Sequence, residues 1–142
     1  MGTVWVRHAP ASAAIVRRAV SDALHRAGAS DSNAFDGALI ASELVSNAVR
    51  HAPALPSGQL RVTWSLDEDS YTISVTDGGG LDHLSLPTPA LRETSGRGLR
   101  IVAALAADWG VIPGTATATV WARGLLTGAT ELGAELPAAL ST

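Results

Sequence analysis

Neither cysteine nor lysine occurs anywhere in the 142 residues. Without cysteine, disulfides and thiolate zinc sites are excluded, which suits the cytoplasm. All ten basic residues are arginine and 13 residues are acidic, giving a net charge of −3. That balance argues against a duplex-binding surface, which needs a basic stripe. Charged residues make up only 16% and hydrophobic residues 46%, so the chain can bury a core and does not read as disordered. No apolar run approaches the length of a membrane span. The first ten residues, MGTVWVRHAP, show no charged segment followed by an apolar one, so no secretory signal is expected. Gly2 alone matches a myristoylation site, because Val6 stands where Ser or Thr is wanted. The expectation is one soluble, cytoplasmic domain over 1–142, without a membrane partner or direct nucleic-acid contact.

What is present is a patterned series of helices and strands. Residues 3–8 suit an edge strand. From Ala11 to Ala27, the positions Ile15, Val16, Ala19, Val20, Ala23, Leu24 and Ala27 recur with the helical period, and Gly28 ends the run. Ser30 to Asn33 supplies capping residues for a second helix reaching about Ala52. Pro53, Pro56 and Ser57-Gly58 mark a turn-rich connection.

Leu60, Val62, Trp64 and Leu66 then alternate with Arg61, Thr63 and Ser65. After a turn at Asp67 to Ser70, the positions Tyr71, Ile73, Val75 and Asp77 alternate in the same way, which predicts an antiparallel hairpin with one apolar face. A helix is expected over Leu99 to Ala107. Closing strands are expected at Trp109 to Ile112 and Thr117 to Arg123, with a tail from Gly124 to Thr142 that holds a short helix at most. This order lacks the regular strand–helix alternation of a doubly wound sheet. It predicts an α+β fold, a two-layer sandwich whose mixed, mostly antiparallel sheet carries three helices on one face.

Three features are odd for a plain sandwich. Glu43 and Asn47 stand one helical turn apart, and Arg50 and His51 continue their stripe at about 100° per residue. Ile40 and Leu44 flank the stripe, and Ala38, Ala41, Val45, Ala48, Val49 and Ala52 cover the other side. Polar groups in such a setting need partners, because an unpaired buried polar group costs about 1–3 kcal/mol. A ligand bearing a metal and phosphates would supply them. An ordinary surface pair on a helix lying against a sheet accounts for Glu43 and Asn47 equally well. The second oddity is Asp77, which falls on the apolar side of its strand just before Gly78-Gly79-Gly80. The third is Gly96-Arg97-Gly98 at a helix start, where backbone N–H groups and the helix dipole favour an anion. Gly-Lys-Ser/Thr is absent, so this is no P-loop, and the later glycine of a dinucleotide fold is missing.

Together these segments resemble the GHKL superfamily, the Bergerat fold shared by histidine kinases and type II topoisomerases. The wording is most similar to the anti-sigma-factor serine/threonine kinase branch. Residues Glu43-Leu44-Val45-Ser46-Asn47-Ala48-Val49-Arg50-His51-Ala52 look like its N box. Val75-Thr76-Asp77-Gly78-Gly79-Gly80 and Gly96-Arg97-Gly98-Leu99-Arg100-Ile101-Val102 look like its two glycine boxes. Trp109-Gly110-Val111 and Thr119-Val120-Trp121-Ala122 follow as in the family. The resemblance covers about residues 5–123.

It implies ATP and Mg²⁺ as cofactors, with Asn47 holding the metal and Glu43 acting as general base. Arg50 would approach the phosphates. Asp77 would accept from the adenine N6 amine, with Gly79 leaving room for the base and Thr119 backing that contact. Gly96, Arg97, Gly98 and Leu99 would shape the phosphate end. Ala118 departs from the pattern, since relatives often carry lysine there. The segment Leu81 to Ser95 is too short for a long lid. His8, His25 and His83 show no metal spacing and read as incidental.

Three functions are weighed. The first is a kinase that phosphorylates an anti-anti-sigma (STAS-type) protein and governs a sigma factor. The second, motivated by Ala118 and the short lid, is a nucleotide-dependent binding switch without turnover. The third is a detached histidine-kinase catalytic domain, which ranks last because no helix with a phospho-acceptor histidine precedes the fold. Relatives often form homodimers, and no sequence feature here demands one.

Overall fold

The architecture comes from a computed structural model that describes residues 1–80 and 96–126. Strand β1 (Gly2–Arg7) leads to helices α1 (Ser12–Arg26) and α2 (Asp31–His51). Strands β2 (Gln59–Leu66) and β3 (Ser70–Asp77) follow, then helix α3 (Gly96–Leu105), β4 (Asp108–Pro113) and β5 (Ala118–Leu125). The sheet order is β1-β2-β3-β5-β4, and every pairing among the described residues is antiparallel. β3 and β4 therefore run the same way with β5 between them, and α3 makes the crossover. The expected α+β sandwich is present.

The helices begin and end for local reasons. Ser30 caps α2, its Oγ accepting from the Asn33 N–H at 3.1 Å. α1 has no side-chain cap at Ala11. Instead Ser12 Oγ donates to the Arg7 carbonyl at 2.6 Å, which ties the helix start to the end of β1. α3 begins at Gly96, three residues before the expected start, so the glycine motif is the helix's own first turn. It ends at Leu105 because Ala107 turns to the sheet, donating to the Arg123 carbonyl at 2.7 Å.

Alternation places Leu60, Val62, Tyr71, Ile73 and Val75 inward, all fully buried. Val16, Val20 and Leu24 of α1 meet Ala34, Ile40, Ala41, Leu44, Val45 and Ala48 of α2 in the same cluster. Ile15, expected on the apolar face of α1, is instead 56% exposed. The buried stripe runs through Ser12, Val16, Val20 and Leu24, and a residue adjacent to Val16 is turned about 100° away from it. Helix α2 is central, packing against α1, α3 and β3. Ile40 and Leu44, read as flanking the polar stripe, lie wholly inside. Among the described residues no helix is long and apolar enough to cross a membrane. The expected short lid, Leu81 to Ser95, lies outside the described residues, as does the tail beyond Leu126.

Candidate functional site

With α2 packed against α1, α3 and β3, Glu43, Asn47, Arg50 and His51 form a polar stripe along its second half. Glu43, Asn47 and His51 are half-buried and Arg50 is exposed. No hydrogen bond or ion pair within the described residues holds Glu43, so its carboxylate is uncommitted. Arg50 Nη2 donates to Asn47 Oδ1 at 3.2 Å. This fixes the amide with its oxygen outward and Nδ2 inward, and Nδ2 is buried without a partner. Four residues on, His51 Nε2 is likewise enclosed and unpaired. Two buried nitrogens a turn apart on this stripe thus have no hydrogen-bond partner among the described residues.

Burial of the His51 ring, with the neighbouring Arg50 charge adding to it, holds its pKa below the usual 6.5. The unfolded chain takes up that proton near 6.5 while the folded protein resists it, so stability falls as pH drops through the window just below 6.5. The denaturation midpoint is expected to fall between about pH 7.5 and about pH 5.5, and to fall less in His51→Gln. Urea titrations of both proteins at the two pH values check this.

The last residue of β3 forms the second wall. Asp77 is 4% exposed, as its place in the apolar alternation foretold. Its Oδ1 accepts from the Gly79 N–H at 2.7 Å, turning the chain sharply after the strand. The Gly78 N–H donates to the Pro53 carbonyl at 3.0 Å, joining this loop to the chain just after α2. A side chain at Gly78 would collide with the Ala54 carbonyl oxygen. At Gly79, a Cβ would meet Pro53 Cδ at 3.2 Å and Ala52 Cβ at 3.7 Å. The end of α2 and the end of β3 therefore enclose the Asp77 carboxylate together, and glycine is what lets them approach.

Not every expected residue joins this group. Thr119 pairs in register with Thr76, and their hydroxyls share a hydrogen bond of 2.8 Å. Asp77 pairs with Ala118. Residues opposite one another share a face and neighbours alternate, so Thr119 lies on the sheet face away from Asp77. Gly96, Arg97, Gly98 and Leu99 form the first turn of α3, which packs on α2; Leu99 is half-buried. The side chain of Arg97 is not described. His25 pairs with Asp31 at the surface, 3.0 Å away. His83 lies outside the described residues.

The sequence reading missed His8, whose Nε2 reaches the Ala52 carbonyl at 2.6 Å. The two residues lie 44 apart in sequence, and no spacing signals such a contact. A separate groove of about 530 Å³ between α1 and α2 is lined by Arg17, Arg18, Asp22 and Phe35 among others. Some of its polar groups have partners already, as Arg17 Nη2 donates to Ser42 Oγ and His25 pairs with Asp31.

The donor set suits a magnesium ion held mainly by phosphates. Mg²⁺ takes one or two protein oxygens and fills its octahedron from phosphate and water. Asn47 Oδ1 is one hard oxygen, beside an uncommitted carboxylate, with a guanidinium resting where a cation would be attracted. No cluster of three acidic, histidine or cysteine residues among the described residues offers an alternative centre.

The sequence profile of the histidine kinase-like ATPase domain matches residues 6–123. No curated protein matches the chain.

Proposed function

As the chain belongs to the histidine kinase-like ATPase domain family, we propose that it binds ATP with Mg²⁺ and transfers the γ-phosphoryl group to a serine or threonine of a protein partner. The carrying observation is the α2 stripe: an uncommitted Glu43 and, one turn on, Asn47 with a buried, unpaired amide nitrogen. A nucleotide that carries Mg²⁺ would bring to this stripe the cation that the outward-facing Asn47 Oδ1 can hold. The partner class rests on the resemblance of the three boxes to the anti-sigma-factor kinases. It is an anti-anti-sigma protein of the STAS type, whose phosphorylation decides whether this chain holds it or a sigma factor.

Each residue has a stated task. Asp77 accepts from the adenine N6 amine, and Gly79 lets the base lie against the chain. Asn47 offers Oδ1 to the metal, and Arg50, released from that oxygen, turns its charge to the phosphates. The first turn of α3, Gly96 to Leu99, offers backbone N–H groups to phosphate oxygens. Bound Mg²⁺ neutralises charge across the triphosphate and orients the γ-phosphoryl group. Glu43 takes the proton from the partner's hydroxyl as its oxygen bonds to the γ-phosphorus, and ADP leaves.

A second reading has one observation in its favour. Ala118, where relatives often place lysine, is the register partner of Asp77, so no cation stands at that point of the site. A protein that binds nucleotide and switches partners without turnover accommodates that loss.

Calorimetry of ATP binding with and without Mg²⁺ tests the common premise. Wild type is expected to bind about tenfold more tightly with Mg²⁺. Asn47→Ala is expected to lose that enhancement while keeping metal-independent binding. No binding at millimolar ATP overturns the reading.

A further inference from the structure

We infer that His8 is a positioning residue for the nucleotide pocket: it pins the α2–β2 connection against the Asp77 loop. The inference rests on the ATP-site reading above and adds a residue that lies outside all three sequence boxes.

The connection from Ala52 to Gly58 has no helix or strand of its own. It is nonetheless the wall against which the Asp77 loop is built. The Pro53 carbonyl accepts from the Gly78 N–H, the Ala54 carbonyl crowds Gly78, and Ala52 and Pro53 press on Gly79. Internally it has one turn, with the Gly58 N–H donating to the Leu55 carbonyl at 2.8 Å. The Leu55 N–H donates to the Gln59 carbonyl at 2.9 Å, which ties it to the start of β2.

His8 holds both ends of this connection from outside. Its backbone N–H donates to the Gly58 carbonyl at 3.2 Å. Its ring Nε2 meets the Ala52 carbonyl at 2.6 Å. A carbonyl only accepts, so the ring nitrogen donates. The Ala52 carbonyl belongs to the cap residue of α2, where the helix leaves carbonyls without intrahelical donors. His8 is itself well seated. The Ala9 N–H donates to the Arg7 carbonyl, Ser12 Oγ donates to the same carbonyl, and the Ser12 N–H donates to the Ala9 carbonyl. A side chain from the β1–α1 loop thereby sets the distance between the end of α2 and the end of β3.

The consequence is selective. Releasing Ala52 and Pro53 loosens the wall beside Asp77 and Gly79, where the base would lie. Glu43 and Asn47 lie earlier on α2, within its hydrogen-bonded, packed length. Adenine recognition should suffer, and dependence on Mg²⁺ should not.

The experiment measures ATP and GTP affinity, with Mg²⁺, for wild type, His8→Ala, His8→Gln and Ser12→Ala. His8→Ala is expected to weaken ATP about fivefold to tenfold, the worth of one neutral hydrogen bond, and to narrow the ATP/GTP ratio. His8→Gln, which keeps a donor of similar reach, restores both. Ser12→Ala loosens the same loop without touching Ala52, so it lowers the melting temperature and leaves the ratio alone. If His8→Ala does not fold, His8→Asn, too short to reach Ala52, takes its place against His8→Gln. An unchanged ratio in the alanine or asparagine protein, or failure of folded His8→Gln to restore it, overturns the inference.

Amide hydrogen exchange at Gly78 separates this outcome from failure of the ATP reading. If wild type binds no ATP, that reading falls. The latch then stands only if Gly78 exchanges faster in His8→Ala than in wild type and Ser12→Ala, and falls if the rates are equal.

Discussion

An Asp77→Asn protein is expected to fold as the parent does and to bind ATP roughly 10- to 150-fold more weakly, the equivalent of losing a hydrogen bond to a charged group worth about 1.5–3 kcal/mol. Asparagine has nearly the same shape, and its Oδ1 keeps the bond from the Gly79 N–H that turns the chain after β3. What changes is the second oxygen. A carboxylate there accepts from the N6 amine of adenine and repels the O6 carbonyl of guanine. An amide NH₂ does the reverse. At 4% exposure, water offers little compensation for the wrong pairing. The ATP/GTP affinity ratio should therefore fall along with ATP affinity, and calorimetry with each nucleotide measures both. Undiminished ATP binding by Asp77→Asn would remove Asp77 from the site and leave its burial a matter of the fold's own contacts.

Asp77 was legible because a strand alternates with period two: a carboxylate at the fourth inward position after Tyr71, Ile73 and Val75 breaks the pattern visibly. The Glu43–Asn47 stripe was legible for the same kind of reason, since the helical period sorts α2 into one polar strip and a broad apolar remainder. Local patterning fixes which way a side chain faces, and that was enough to find the sandwich and to single out Asp77 and the α2 stripe as candidates. Contacts set by tertiary approach were not accessible this way. Nothing in the sequence ties His8 to Ala52, because the contact exists only once β1 lies beside β2 and α2 packs on the sheet at β3. Thr119 was placed by motif wording, and only the register, one residue out of phase with Asp77, shows that it faces the other side. The start of α3 came out late because glycine is a poor helix former, yet Gly96 and Gly98 sit within the first turn, where a helix pressed close to a neighbour tolerates them.

Glu43→Gln is expected to bind ATP as wild type does and to lose phosphoryl transfer to a STAS-type protein by about 10²- to 10⁴-fold, the usual worth of a general base. The glutamine side chain matches the carboxylate in size and polarity, so the packing of Ile40 and Leu44 beside it is undisturbed. It cannot take up a proton, and that is the function in phosphoryl transfer that the substitution removes. Time courses of phosphate incorporation, with ATP affinity measured on the same preparations, separate binding from transfer. Slow transfer with intact ATP binding in the variant identifies Glu43 as the base. Equal transfer by both proteins assigns the proton to another acceptor and leaves the carboxylate a structural part of α2. If wild type transfers nothing, although ATP changes its grip on the partner, the Ala118 side of the site decides the matter. The switch reading then holds, and Glu43→Gln should regulate the partner as well as its parent does. The single atom exchanged, oxygen for nitrogen on an uncommitted side chain, thus distinguishes a kinase from a switch built on the same fold.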